Sequence, residues 1–567
     1  MKIKEAIYSA IRELYGSQNF SVEHPADAQM GDFATNVALV MAKQIGKNPR
    51  ELAEETKQKL LKDEKLAEII EKIEVAGPGF INFWVKDEVL VQKLNEMSEA
   101  GNHAINSDFM SGKKVLVEYS SPNIAKRFSV GHFRSTIIGQ AVLNLYKHSG
   151  AEVTDDNHLG DWGTQFGMII AAVEEKKLDV KMMSVPDLEN LYVEFNRRIA
   201  ETPELKNKAR EAFARLERGE ESARKIWQQA VDVSMKEFGQ IYKKLGVTFE
   251  HQYGESAYEK MMPEIIKEAM DSGVAEKGEG GALIVKFEKD GKEYMPPAML
   301  QKGDGTTTYF TRDLATVRKR LDDADLKSDL YIYEVGSEQR LHLKQVFETV
   351  EKLEWAKKEQ FIHVAHGLLS LPEGKMSTRK GNTVKLEDLL FRAADEAKKI
   401  AKERVTSAIS EKIGIGAVKY NDLRRSPEAD YVFKWEEALS MEGNSGPYLQ
   451  YVYVRTKGIL EKAHADRSAV KWAGGTIVLN ENERSLLKSL VLRFGEGEVV
   501  ENAAKNFAPH LVCQSLFELA QKFNGFYDRN RVIGVPEESL RLLMVAVTGL
   551  VIKSGLSILG IETVEKM

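Results

Sequence analysis

Two short segments carry side chains whose kinds and spacing suit chemistry on a polyphosphate. The first is Pro122-Asn123-Ile124-Ala125-Lys126-Arg127-Phe128-Ser129-Val130-Gly131-His132. It joins an apolar stretch that reads as a strand, Lys114–Tyr119, to a helical pattern at Ser135–Tyr146. A turn of that kind offers backbone N–H groups and the positive end of a helix dipole, and both favour anions. Lys126 adds a mobile positive charge, His132 can donate to a phosphate or ribose, and Gly131 lets a flat base approach the backbone. Pro122, Asn123 and Ser129 complete a turn suited to a nucleotide. Taken alone, the same residues also describe an ordinary strand-to-helix turn with a surface histidine.

The second segment is Lys375-Met376-Ser377-Thr378-Arg379-Lys380-Gly381. Its three cations, small hydroxyls and closing glycine suit a loop that meets a triphosphate in transit. A leaving pyrophosphate carries most of the developing charge, so a lysine that reaches it mainly in the transition state lowers the barrier. Lys375, with Met376 and Ser377 beside it, is the candidate. A solvated basic loop is the competing reading of this string by itself.

The elements that must position these segments follow from periodicity. Strand, turn and helix in that order open a parallel α/β sheet, and further strand–loop sets return at Leu330–Val335 and Phe361–Val364. Residues 1–110 read as an α+β domain, with helical patterns at Ile3–Tyr15 and Thr35–Gln44 and alternation over Ile73–Val85. A linker-like stretch, Ser98–Lys113, leads into the α/β domain, assigned to residues 111–385 with a helical insertion at about 180–300. A helical connecting segment, 386–435, precedes an all-helical domain, 436–567.

Composition bounds the rest. A chain of 567 residues needs several cores, and 43% hydrophobic with 29% charged residues is ordinary for a globular protein. The single cysteine, Cys513, excludes a disulfide framework and a Cys-rich zinc site and suits a reducing cytosol. The apolar run Leu542–Ile552 is short for a membrane span, and the first residues lack a secretory core. A cytoplasmic chain with no membrane role is expected. With a net charge of −6, any RNA partner must be held by local basic surfaces and shape.

Together the two segments resemble the paired signatures of class I aminoacyl-tRNA synthetases, written HIGH and KMSKS. Further stretches are similar to the arginyl members of that family. They are Gly31-Asp32-Phe33-Ala34-Thr35-Asn36, Val75–Phe83, Leu159-Gly160-Asp161-Trp162-Gly163-Thr164-Gln165-Phe166-Gly167, Gly443–Tyr451 and the tail Gly555–Met567. The resemblance runs in order along nearly the whole chain. It implies an α/β Rossmann-type class I catalytic domain, an N-terminal α+β domain that touches the tRNA and a C-terminal all-α anticodon-binding domain. It also implies ATP and L-arginine as substrates with Mg2+, tRNA(Arg) as partner, and no tightly held protein-ligated metal. Lys126, His132 and Lys375 are then the expected catalytic residues, and His342 an additional ATP contact.

Arginine offers a planar, forked cation, so its pocket needs carboxylates, a flat surface and neutral polar partners. Tyr309 and Asp313 are four residues apart, on one face of a helical turn, so ring and carboxylate can meet one ligand. Glu152 and Asn157 follow the first helix, where a second strand would end, while Gln339 and His342 follow the strand Leu330–Val335. The resemblance implies that Asn157 and Gln339 hold the amino acid's polar end and that Glu152, Tyr309 and Asp313 shape the guanidinium pocket. No editing insertion is recognisable, which a site built on paired hydrogen bonds tolerates.

The family pattern has His-Val-Gly-His where this chain has Ser129-Val130-Gly131-His132, and Lys434 replaces a common aspartate. Serine keeps a donor and an acceptor but is shorter and carries no charge. Ser129 therefore motivates an alternative, a catalytically impaired paralogue that binds tRNA. A nucleotidyltransferase with the same sheet is a second alternative, and the arginyl-type stretches at both ends weigh against it. Nothing in the sequence marks a dimer seam, so a monomer is expected.

Overall fold

Apolar residues at positions 3, 6, 7, 10 and 11 bury one face of the helix Ile3–Tyr15, and Gly16 ends it in the left-handed conformation (φ 62°). The computed structural model describes residues 2–567 except 17–18, 371–385, 401–404, 468–469 and 473. Strands β1 (Val22–Glu23), β2 (Phe33–Thr35), β3 (Ile70–Ala76) and β4 (Phe80–Val85) form an antiparallel sheet in the order β1-β2-β4-β3. The expected helix at Thr35–Gln44 starts later, at Val37, because Thr35 pairs with Ile81 in the sheet.

The chain divides into two compact units. One comprises Met1–Phe109, Tyr448–Ala503 and Leu511–Leu556. Polar contacts explain why its N-terminal sheet and C-terminal helices belong together. The Asp32 carboxylate accepts the Val85 N–H at 2.8 Å and pairs with Lys488 Nζ at 2.5 Å. Arg484 donates to Asp87 at 2.6 Å and to the Val85 carbonyl at 3.0 Å. Asp32 is buried, and a charge left alone at that depth costs several kcal/mol, roughly, so its pairing with Lys488 selects one packing. The helix Glu538–Ile558 is long and apolar enough to cross a membrane, yet 78% of its apolar window is buried, as in the core helix of a bundle.

The second unit comprises Met110–Pro447, Ala504–His510 and Ser557–Met567. Its central sheet contains β5 (Lys114–Glu118), β6 (Glu152–Asp156), β10 (Leu330–Gly336) and β11 (Phe361–His366), all parallel, in the order β11-β10-β5-β6. From β5 the chain crosses to β6 on one side, and from β10 to β11 on the other. The order therefore reverses between β5 and β10, and the crevice outside their carboxyl ends is where such sheets bind ligands.

Between β6 and β10 lies the expected insertion, but it is only partly helical. The helices Val185–Glu201, Glu204–Glu217, Glu221–Leu245 and Met262–Asp271 precede an antiparallel sheet of β7 (Ala275–Lys277), β8 (Leu283–Lys289) and β9 (Lys292–Gln301). The connection from β8 to β9 is Asp290-Gly291, both at positive φ (54° and 72°), the chemistry of a tight hairpin turn. Val285, Phe287, Met295 and Leu300 from this sheet pack with Leu314 and Val346 in a core beside the parallel sheet.

Candidate active site

After β5 the backbone leaves the sheet through strained conformations, with Ser120, Ser121 and Ala125 all at positive φ (74°, 45° and 61°). Positive φ costs a non-glycine residue roughly 1–3 kcal/mol and persists only when neighbours enforce it. Here Ser120 N–H donates to Ser135 Oγ at 3.0 Å, Ser121 N–H to Asn157 Oδ1 at 3.1 Å, and Ala125 N–H to Ser234 Oγ at 3.0 Å. Asn157 Nδ2 then donates to Tyr242 O–H at 3.1 Å, which also bonds Ser120 Oγ at 2.8 Å. Asn157 thus ties the loop after β5 to the end of β6 and to the long helix of the insertion. Pro122 is buried, and Asn123 pairs with Gly160, where a Cβ would stand 2.5 Å from Asn123 Oδ1.

The helix expected from Ser135 starts earlier, at Val130, because Ser129 caps it. Ser129 Oγ accepts the His132 N–H at 3.4 Å, and His132 Nδ1 accepts the Ser129 N–H at 3.1 Å, a reciprocal capping box. Since Nδ1 accepts, neutral His132 carries its proton on Nε2. Burial, the charge of Lys126 and that of His366 lower its pKa to about 4, so His132 is an uncharged donor at neutral pH. Gly131 is exposed, and a Cβ there would meet only Ser129 Oγ, at 3.4 Å. Lys126 Nζ lies 5.7 Å from the centre of the Tyr192 ring, and burial lowers its pKa despite Glu189. Arg134, two residues beyond His132, forms a sealed ion pair with Asp422 at 3.3 Å and fixes the helix.

A second cluster gathers on and around the helix Tyr309–Asp322. Asp313 binds His342 Nε2 through one carboxylate oxygen and approaches His158 Nε2 at 4.0 Å with the other. The His342 pKa is raised: burial pulls it down, but the bond and charge of Asp313 outweigh that. Arg312 pairs with Glu255 at 3.3 Å, and its guanidinium lies 4.9 Å from the Tyr309 ring centre. Burial raises Glu255 to about 7 against the pull of Arg312 and His158, with Asp313 and Asp161 adding repulsion. The Tyr309 side is open, at 65% exposure. Gln339 is exposed directly after β10, at the same carboxyl edge.

Below this cluster sits a buried hub. Tyr333, Glu118 and Asp156 occupy one rung across β10, β5 and β6. All three face Arg320, which is 0% exposed. Its guanidinium contacts Glu118 and Asp156 at 2.6 Å each and lies 5.2 Å from the Tyr333 ring centre. Arg320 follows Asp313 by seven residues, two turns along one helix face.

Glu152 must be corrected. It opens β6 instead of closing it, 69% exposed and paired with Lys114 at 3.1 Å. At about 3.3 Å per strand residue it stands roughly 16 Å from Asn157, at the opposite edge of the sheet. His342, the expected ATP contact, is bonded to Asp313. Lys375, Met376 and Ser377 lie outside the described residues.

The family described as tRNA synthetases class I (R), catalytic domain, matches residues 95–435. The chain belongs to the arginyl-tRNA synthetase family. Its activity is that of an arginine–tRNA ligase of class I. The arginyl tRNA synthetase N terminal domain matches residues 1–85, and the DALR anticodon binding domain residues 449–567. An arginine–tRNA ligase of Fusobacterium nucleatum is 36% identical over 555 residues, covering 95% of this chain and 93% of that protein. One from Halothermothrix orenii is 36% identical over 560 residues, covering 96% and 95%. The arginyl-tRNA synthetase structure from Plasmodium falciparum superposes with a TM-score of 0.83 at 25% identity, over 100% of this chain and 99% of that one.

Within this synthetase, reasoning from sequence missed Glu255 and Arg320. Glu255 opens a short helical turn, Glu255–Met261, in the insertion, with no periodic or motif signal to mark it. Arg320 reads as one more charge on an amphipathic helix, and only the sheet rung reveals its partners. Among the described residues, no group of three His, Cys, Asp or Glu is arranged to hold a metal ion.

Proposed function

We propose that both steps of arginine transfer run in the crevice at the carboxyl ends of β5 and β10. Asp313, Glu255 and the Tyr309 ring receive the guanidinium, and Asn123 and Gln339 hold the amino acid's polar end, with the buried Asn157 positioning the loop after β5. The observation that carries this reading is the pair of carboxylates, Asp313 and Glu255, whose charges act on one another across a site also faced by His158 and Arg312. Pairs of carboxylates are what a forked cation requires. Arginine's carboxylate attacks the α-phosphorus of ATP in line, forming an O–P bond as the bond to pyrophosphate breaks. His132 Nε2–H and Lys126 act on the phosphates, with Lys375 as the further cation. The ribose 2′-hydroxyl of the terminal adenosine then attacks the acyl carbon and AMP leaves. Positioning and electrostatics suffice, without a protein nucleophile.

Magnesium enters bound to the triphosphate as part of the substrate, and no step is assigned to protein-held metal. The functional domains follow the boundaries 1–110, 111–385, 386–435 and 436–567, with the last reading the anticodon of tRNA(Arg). Its half-buried Tyr448 and Tyr451, held by Asn524 and Arg455, suit base stacking, whereas Tyr453 is core. The enzyme acts as a cytoplasmic monomer. Charging of tRNA with labelled arginine in ATP and magnesium, with lysine as control, tests the reading. Equal charging of lysine, or none of arginine, would defeat it.

A further inference from the structure

Ser129 leaves the phosphate site without the imidazole that the signature of the family carries there, and the structure holds another one nearby. His366 ends β11, next to Gly336 at the end of β10, on the same carboxyl edge as the loop after β5. Its Nδ1 is bound to Glu334 Oε1 at 2.9 Å, and Glu334 is 0% exposed. The other Glu334 oxygen accepts Ser135 Oγ–H at 2.5 Å. Ser135 stands one helical turn after His132, and Glu334 joins it to His366. The carboxylate accepts the Nδ1–H hydrogen bond and leaves Nε2–H free of Glu334. A charge on His366 lowers the pKa of His132.

We propose that His366, held by Glu334, is a catalytic residue that supplies to the ATP phosphates the imidazolium missing at Ser129. The assignment rests on the synthetase reading of this site. Three observations support it together. Ser129 is spent on capping and carries no charge. His132 is held neutral, so it cannot replace the lost cation. His366 is the reverse: burial opposes its protonation, but Glu334 raises its pKa, with Glu338 adding to the rise and Arg134 opposing it. His363, the neighbouring histidine on β11, is instead lowered by burial and bonds the Val335 carbonyl at 3.1 Å. A fixed imidazolium needs no reorganisation when charge builds on the phosphates, which is what makes such a donor effective.

The test is His366→Asn, because the asparagine amide keeps a donor toward Glu334 while removing the reach of Nε2. Charging of tRNA and ATP–pyrophosphate exchange are measured with tRNA present, alongside thermal unfolding. The expected result is a fall in kcat on the order of a hundredfold, the scale of a lost transition-state donor, with KM for arginine and Tm near wild type. The wild-type rate should fall as pH rises through the raised pKa of His366, and that alkaline limb should vanish in the variant. The double variant Ser129→His with His366→Asn should regain a large part of the lost rate, since it returns an imidazole to the signature position. Wild-type kcat in His366→Asn, a loss that tracks Tm, or a double variant no faster than the single one would each overturn the proposal. Arginine charging by the unaltered chain is scored separately, so failure of this inference is distinct from failure of the function.

Discussion

Arg320 and Glu118 meet at 2.6 Å with the guanidinium wholly sealed from solvent, and the rest of the site is hung from that contact. The helix that begins with Tyr309 and Asp313 is pinned to the sheet two turns later by Arg320, which also holds Asp156. Replacing Arg320 with methionine leaves two buried carboxylates without a countercharge. Breaking a buried pair in this way costs about 3–5 kcal/mol. Chemical denaturation should show that loss, and KM for arginine should rise in whatever folded fraction remains. A variant as stable as wild type would show that Glu118 and Asp156 are solvated or protonated.

On the proposed reading, Glu255 should make arginine binding sensitive to pH. Its pKa lies near 7, above the ordinary 4.5, so the folded protein binds its proton more tightly than the unfolded chain does. The stability associated with Glu255 therefore falls as pH rises from 4.5 to about 7. Binding of the cation runs the other way and improves as the carboxylate forms. KM for arginine should drop as pH rises through 7, and Glu255→Gln should flatten that dependence while raising KM throughout. An unchanged profile in the glutamine variant would remove Glu255 from the site.

Asp313→Ala should raise KM for arginine by on the order of a hundredfold, about 3 kcal/mol, with the fold intact. Its side chain is 30% exposed and its main partner is His342, so the structure tolerates its removal better than that of Arg320. The His342 pKa should fall once the carboxylate is gone, which a histidine proton titration by NMR would detect. Wild-type arginine affinity in this variant would sink the assignment.

His132 should contribute to catalysis as a neutral donor. With its pKa at about 4 instead of 6.5, the stability linked to its neutral form is present above 6.5 and is lost as pH falls toward 4. His132→Gln, which keeps a donor near the Nε2 position, should retain far more activity than His132→Ala. Equal losses in the two variants, measured by ATP–pyrophosphate exchange, would show that the hydrogen bond is not what the ring supplies.

Strands β5, β10 and β11 were legible as short apolar runs followed by turns, and the structure extends each by no more than two residues or shortens it by one. The start of the helix at Val130 was not, because apolar periodicity begins only later, whereas Ser129 supplies the cap. The β8–β9 hairpin was hidden by its charged residues, although Asp290-Gly291 announces the turn. Glu152 misled because a strand of five residues reverses which edge of the sheet its ends occupy, so its placement depends on where the strand begins.

By itself the sequence determined the family, the order of the modules and most of the residues at the carboxyl edge of the sheet. Those are carried by local motifs and by periodicities that any stretch of chain expresses without its neighbours. Only the tertiary structure decided which charged groups meet. Glu255 joins Arg312, Arg320 joins Glu118 and Asp156, and Glu334 joins His366, each across a long separation in the chain. Charge pairing is set by distance and burial in space, and neither can be read from the spacing of residues along the chain.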